Sequence, residues 1–417
     1  MLDEGAGERN ALDIADAIDY LGASLSTGSG WDGSSLSLYA PVARLDAALE
    51  ILAEVALRPT FPGEELARLR KEHLTSLLQA RDEPRALASA AYQRALFGPS
   101  HRFGVGIAGR EASIEAITLE EIRGFYRAHY APGNAACLVV GDLTAPTIIP
   151  RLEKAFGSWK SAAALPSPLP PVPQVKERET VLVDKPGAAQ SELRFVRMGV
   201  ARKTPDFYAL LVMNTILGGS FTSRLNTNLR EEHGYSYGAG SFFDMRRAPG
   251  PFVASTAVET AVTNQAVAEV MKELSRMREP VPPEELERAK NYLILGYPAD
   301  FETTAQIASK LAELALYDLP DDFFNSFTER IRAVSAGDVL RVAKGHLDPA
   351  RTLVVVVGDR KEVEPGLRKL RLGPLRLLTV DDVVGKPAGS LEPRRASRWG
   401  WKAQRRKGIS GESPEQP

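Results

Sequence analysis

Two stretches of this chain repeat each other at a fixed distance. His129-x-x-Pro132 runs into Ala135-Ala136-Cys137-Leu138-Val139-Val140-Gly141-Asp142, and His346-x-x-Pro349 runs into Thr352-Leu353-Val354-Val355-Val356-Val357-Gly358-Asp359. The His-to-Pro and His-to-Asp spacings agree, and the offset is 217 residues. The same offset pairs Ile114-x-x-Ile117-Thr118 with Ile331-x-x-Val334-Ser335. Upstream, Pro62-Gly63-Glu64-Glu65-Leu66 answers Pro282-Pro283-Glu284-Glu285-Leu286 at an offset of 220. A period this long, met only twice, marks a duplicated domain and not a solenoid. Each copy can then serve as a ruler for the other.

A chain of 417 residues has room for two such domains with cores of their own. Its net charge of −1 creates no global field that would draw it to nucleic acid or to an acidic surface. No apolar run reaches membrane-spanning length, and no secretory signal stands at Met1. The single cysteine, Cys137, rules out an intramolecular disulfide. Its place in an apolar run predicts an inert buried thiol in a strand that ends at Asp142.

Periodicity places the elements. Ala11 to Leu21 reads as a helix with Leu12, Ala15, Ile18 and Leu21 on one face and Gly22 as its stop. Ser24 to Leu38 suits a hairpin turned at Asp32-Gly33. Arg44 to Leu57 and Pro62 to Ala80 read as helices, the latter with Glu64 and Glu65 against its dipole. Thr118, with Glu121 three residues on, is a capping box that opens a helix running to His129. In the second copy, strands are expected at Thr180 to Val183, Glu192 to Val200 and Thr352 to Val357. The domain boundaries expected are a first copy over 1–160, a stiff Pro-rich linker over 161–178, a second copy over 179–375, and a disordered basic tail over 386–417. The second copy opens near residue 180. By the 217-residue ruler, the first copy is about forty residues short at its N-terminus.

The run Leu217-Gly218-Gly219-Ser220-Phe221-Thr222-Ser223-Arg224-Leu225 leads into Leu229-Arg230-Glu231-Glu232-His233-Gly234-Tyr235-Ser236-Tyr237. It resembles the pitrilysin/insulinase family of zinc metallopeptidases, in its mitochondrial-processing-peptidase-like branch. That branch carries Gly-Gly-x-x-x-Ser-Arg-Leu followed by Leu-Arg-Glu-x-x-Gly-x-x-Tyr. The duplication, the Pro-rich linker and the two Val-Gly-Asp strand ends are similar to that family as well, so the resemblance covers about residues 1 to 375. It implies an α+β fold of two tandem homologous domains, each an antiparallel sheet with helices packed on one face. Two such copies form half of a clam-shell around a peptide.

The family's chemistry needs an inverted zincin motif, His-x-x-Glu-His, and a later glutamate ligand. In relatives the motif directly precedes Met-Leu-x-x-Gly. Here that stretch is Met1-Leu2-Asp3-Glu4-Gly5, so the motif is not in this chain. Counting back from Arg81-Asp82-Glu83-Pro84, the resemblance puts the later ligand near Ser76 or Leu77. No carboxylate occurs from Leu74 to Ala80. The second-copy counterparts, near Gly296 and Tyr297, are no better supplied. Leu69-Arg70-Lys71-Glu72-His73 mimics the end of a zinc motif, but adjacent helical residues point about 100° apart, and Leu69 stands where a histidine should. The resemblance therefore implies no metal ligands in this chain, with zinc expected in a partner subunit.

By the same resemblance, Arg230 and Tyr237 are the pair that hydrogen-bonds the substrate carbonyl as its oxyanion forms. Arg supplies a permanent cation with a planar fork of donors, and Tyr supplies an O–H. Read without the family, Arg230 is an ordinary residue near a helix end and Tyr237 an ordinary strand aromatic. His129 and His346, used identically by both copies, read as structural helix-end residues. Arg394, Arg395, Arg398, Lys402, Arg405, Arg406 and Lys407, with Trp399 and Trp401, read as a solvated tail.

The expected function is that of a non-catalytic subunit of a two-chain zinc metallopeptidase acting on peptides. Its partner would be a zinc-bearing homologous subunit. Two alternatives stay open at this stage: a proteolytically silent scaffold subunit, and a zinc metalloendopeptidase truncated at its N-terminus. The compartment is unknown, with the periplasm suggested only by the resemblance.

Overall fold

The computed structural model describes residues 1–160, 171 and 175–386. Most of the expected linker (161–170 and 172–174) and the expected basic tail from residue 387 lie outside the described residues.

The first copy begins with a two-residue ladder, β1 (Gly5–Ala6) and β2 (Arg9–Asn10), then α1 (Ala11–Tyr20). The hairpin β3 (Ser24–Ser29) and β4 (Ser34–Tyr39) follows, then α2 (Leu45–Leu57), α3 (Gly63–Ala80) and α4 (Pro84–Phe97). It closes with α5 (Glu111–Ala116), α6 (Leu119–His129) and α7 (Ala145–Phe156). The second copy opens with β5 (Glu179–Asp184), β6 (Gln190–Met198), α8 (Phe207–Asn214) and the short α9 (Arg224–Asn226). Then come β7 (Ala239–Phe243), β8 (Pro251–Glu259), α10 (Thr263–Arg276), α11 (Pro283–Gly296) and α12 (Thr304–Tyr317). It ends with α13 (Phe327–Ala333), α14 (Ala336–His346), β9 (Leu353–Gly358), α15 (Arg360–Lys369), β10 (Leu375–Leu378) and α16 (Val380–Val384).

The repeat seen in the sequence recurs in local chemistry. Thr118 and Glu121 form a capping box on α6, and Ser335 and Asp338 form one on α14, 217 residues later. In each the hydroxyl accepts from the backbone N–H three residues on, and the carboxylate accepts from the cap's own N–H. A cap of this kind is worth about 1 kcal/mol. Each helix then breaks at a 3-10 turn, Pro132–Asn134 in one copy and Pro349–Arg351 in the other.

The second copy holds the main sheet, ordered β10-β5-β9-β6-β8-β7. Pairing is antiparallel from β7 through β8 and β6 to β9, and parallel from β9 through β5 to β10. The sheet is thus mixed where the resemblance implied an antiparallel one, and β10 and α16 continue the fold past residue 375. It is also covered on both faces. Val354 and Val356 face the helices of their own copy, with Leu182, Leu193 and Phe195. Leu353, Val355 and Val357 face α4 of the first copy, meeting Leu87, Ala88, Ala91 and Tyr92. This two-sided cover explains the unbroken Leu353–Val357 run, because alternation is needed only where one face meets water. Each such side chain contributes about 1.5–3 kcal/mol by burial.

The copies meet again at their hairpin turns. Arg246 is 2% exposed; its guanidinium lies 4.2 Å from the Trp31 ring and 4.5 Å from the Phe103 ring, and it pairs with Asp244. Beside it the Arg247 N–H donates to the Asp32 carboxylate at 3.0 Å.

Two expectations for the first copy do not hold. Cys137 is exposed, and Ala135–Val140 forms no strand; Leu138 and Val139 are 39% and 40% exposed. Its second-copy counterpart, β9, is held between β5 and β6. No strand among the described residues takes either place beside 135–140, so it has no ladder partner and the side chains of 135–139 meet water. The other correction is in α1. Ile14 and Ile18, four apart, form the buried stripe, while Leu12 is 74% exposed.

Candidate functional site

The Gly-Gly run and the Arg/Tyr motif are one continuous structure between α8 and β7. α8 is followed by a π-type turn, Thr215–Gly219, and α9 by another, Thr227–Glu232. Turns of this kind are rare and recur at functional sites. The first turn presses on β7. A Cβ on Gly218 would lie 2.5 Å from the Ser241 backbone nitrogen, and one on Gly219 would lie 2.8 Å from Nδ2 of Asn214. Only glycine permits that approach.

Two asparagines clasp the loop to the strand. Asn214 donates to the Ser241 carbonyl at 2.9 Å and accepts from the Ser241 hydroxyl at 2.8 Å. Asn226 accepts from the Ala239 N–H at 2.8 Å and donates to the Ser220 carbonyl at 3.2 Å. Beneath the second turn, Asn228 donates to Glu269 and Glu273, each at 2.9 Å. Glu273 is fully buried, and Arg276 satisfies it at 2.8 and 3.1 Å. The Lys272 ammonium, and after it Asn228, hold the Glu269 carboxyl below the usual carboxylate range.

Arg230 emerges from this platform. Its guanidinium lies 4.4 Å from the centroid of the Phe221 ring, and no hydrogen bond or ion pair engages it among the described residues. Stacking occupies the face of the guanidinium and leaves its in-plane N–H fork free. Tyr237 follows seven residues on and is 95% exposed. The segment between them is fixed where the Tyr235 and Ser236 N–H groups converge on the Leu229 carbonyl, at 2.8 and 3.3 Å. Ser236 ties it further to Thr256 of β8 and to Gly238. Phe221 escaped the sequence reading. Its signal was a large aromatic inside a run of small polar residues.

The positions assigned to metal binding carry other work. On α3 the Ser76 hydroxyl donates to the Glu72 carbonyl at 3.1 Å, and His73 Nε2 lies 2.7 Å from the Ala108 carbonyl. Glu72 is held by Arg68 at 2.9 Å. At the end of α11, Tyr297 donates to the Phe324 carbonyl at 2.8 Å and stacks on Phe327 at 4.1 Å. Burial pushes its hydroxyl up to about 12. Among the described residues no three His, Cys, Asp or Glu side chains come together as a metal-binding group. His129 and His346 each end their helix. His129 packs on Phe125 at 4.5 Å; His346 lies 3.9 Å from Asp206, and its burial lowers its pKa.

Three comparisons with known proteins bear on this arrangement. The family described as Peptidase M16 inactive domain matches residues 116–293, a span holding both the Gly-Gly run and the Arg/Tyr motif. The crystal structure of a peptidase M16 inactive domain from Pseudomonas fluorescens superposes with a TM-score of 0.80 at 26% identity, covering 86% of each chain. Over residues 116–293 the chain resembles the peptidase M16 family, and it shares the fold of that solved structure. Among sequence relatives, an uncharacterised zinc protease of Streptomyces coelicolor is 23% identical over 367 residues, 87% of this chain and 80% of the relative. A Helicobacter pylori protein named a non-peptidase homolog is 22% identical over 371 residues, 87% of this chain and 83% of its own length. The chain therefore resembles proteins named as proteases as well as one named as a non-peptidase. Among its described residues no helix is long and apolar enough to cross a membrane.

Proposed function

We propose that this chain is the non-catalytic subunit of a two-chain zinc metallopeptidase acting on peptides. It contributes Arg230, Tyr237 and half of the substrate chamber, and a homologous subunit carries the zinc. The observation that supports this most is the state of Arg230. Its side chain is oriented by Phe221, yet its hydrogen-bonding edge is unspent among the described residues. A purely structural arginine is normally tied to a carboxylate, as Arg246 is to Asp244 here.

In this role the two donors meet the carbonyl oxygen of the scissile amide as negative charge develops on it. Donors so aimed are worth on the order of 3 kcal/mol each in the transition state. The peptide would lie extended, as along a sheet edge.

The test is hydrolysis by the reconstituted pair, with Arg230→Ala against the natural chain. The expected loss is on the order of 100-fold in kcat with the complex intact. Unchanged hydrolysis would favour a proteolytically silent scaffold, a reading supported by the relative named a non-peptidase homolog. Chelator-sensitive digestion by the isolated chain would overturn both.

A further inference from the structure

We propose that the cavity lined by Thr215, Ser220, Thr222, Glu285, Arg288 and Tyr292 is a subsite for a carboxylate of the bound peptide. It rests on the reading that the chain grips peptides. The cavity measures about 50 Å³. That is room for a few water-sized groups, hence for a carboxylate head and not for a ring.

Hydrogen bonding decides the sign of its ligand. Glu285 accepts the Nε–H of Arg224 at 2.7 Å, and the Arg224 side chain is 8% exposed, so this carboxylate is already neutralised. Nη1 of the same arginine is buried without a partner among the described residues. The Thr215 hydroxyl is spent on the Leu211 carbonyl and the Ser220 hydroxyl on the Thr215 carbonyl. The Arg288 guanidinium and the hydroxyls of Thr222 and Tyr292 have no partner among the described residues. Arg288 and Tyr292 stand one turn apart on α11 and share a face. With Glu285 neutralised from behind by Arg224, the Arg288 guanidinium leaves the cavity net positive and rich in donors, suited to a planar anion that accepts a forked bond.

Its position links it to the carbonyl-binding pair. Ser220 and Thr222 line the cavity, and Phe221 between them lies under Arg230. One short turn therefore serves both. The carboxylate can come from the peptide's C-terminus or from an acidic side chain.

Three labelled ten-residue peptides of one neutral sequence separate these sources: a free acid, its C-terminal amide, and the amide with one internal Gln→Glu change. Binding to the full-length chain is read by fluorescence anisotropy. Preference of about tenfold for the free acid over the plain amide assigns the C-terminus. The same preference for the Glu-containing amide assigns a side chain. In either case Arg288→Ala should remove the preference and Arg288→Lys should keep part of it, while Arg230→Ala weakens all three peptides alike. Equal binding of the three, or a preference that survives Arg288→Ala, overturns the subsite and leaves the peptide reading standing. Absence of binding by all three overturns both.

Discussion

The Phe221 ring lies 4.4 Å below the guanidinium of Arg230, nine residues along the chain, with the buried Asn226 and Asn228 between them. The arginine is thus held by an apolar face and not by an anion that a substrate would have to displace. Both side chains are at the surface, so the stack is worth about 0.5–1 kcal/mol. Phe221→Ala should cost the reconstituted pair only about three- to fivefold in kcat/KM. A loss equal to that of Arg230→Ala would mean that the ring itself contacts the substrate.

Gly218 is the tightest point of the platform. A methyl group there meets backbone as well as side chain of β7, so no rotamer change relieves it. Gly218→Ala should destabilise the second copy by about 1–3 kcal/mol, read as a fall in the urea midpoint at constant slope. Gly133, with nothing within 4 Å of its notional Cβ, is the control, and Gly133→Ala should be close to neutral.

Trp31 carries the second junction between the copies. It stacks edge-on to Phe103 at 5.0 Å and receives Arg246 on its face. Trp31→Ala removes both contacts and leaves a cavity beside the Arg246 guanidinium, which keeps Asp244 and the Phe103 ring. A cost of about 2–3 kcal/mol follows, with faster cleavage by trypsin in the loops 98–110 and 244–250. Unaltered proteolysis would show that Trp31 does not hold this junction.

His346 gives the fold a pH dependence of definite sign. Burial lowers its pKa, against the pull of Asp206, so the unfolded chain binds this proton more readily than the folded one. The contribution is complete above the ordinary histidine value of about 6.5 and declines as pH falls below it. His346→Gln should flatten the fall in melting temperature between pH 7.5 and 5.5. A parallel fall in both proteins would assign the acid sensitivity elsewhere.

Much of this was legible in the residues. Spacing alone gave the duplication, because the capping boxes at Thr118 and Ser335 and the Pro turns after His129 and His346 are local chemistry. The hairpin around Asp32-Gly33 was legible for the same reason. The role proposed for Arg230 and Tyr237 rests on a resemblance, since a lone Arg or Tyr in a sequence carries no marker of a task. What stayed hidden was long-range. Packing of α4 on the second sheet depends on contacts between residues about a hundred apart in sequence or more, such as Leu87 with Val181 and Val355. The fate of Ala135–Val140 was misread because its apolar composition signals a strand, while a strand exists only where neighbours supply hydrogen bonds. Leu12 misled because its helix buries the stripe through Ile14 and Ile18 instead.

The packing of α4 on the far side of the second sheet has a consequence for how the molecule comes apart. Apart from α4, the first copy keeps a small cluster centred on Ala6, Ile14, Ile18, Ile51 and Val55. The interior of the second extends through six strands and is closed on one side by borrowed residues. Gentle denaturation should therefore not split the chain at its midpoint. It should peel away the two ends of the first copy and leave a resistant nucleus that begins near Pro84, with a stretch of the first half surviving only as a lid on the second.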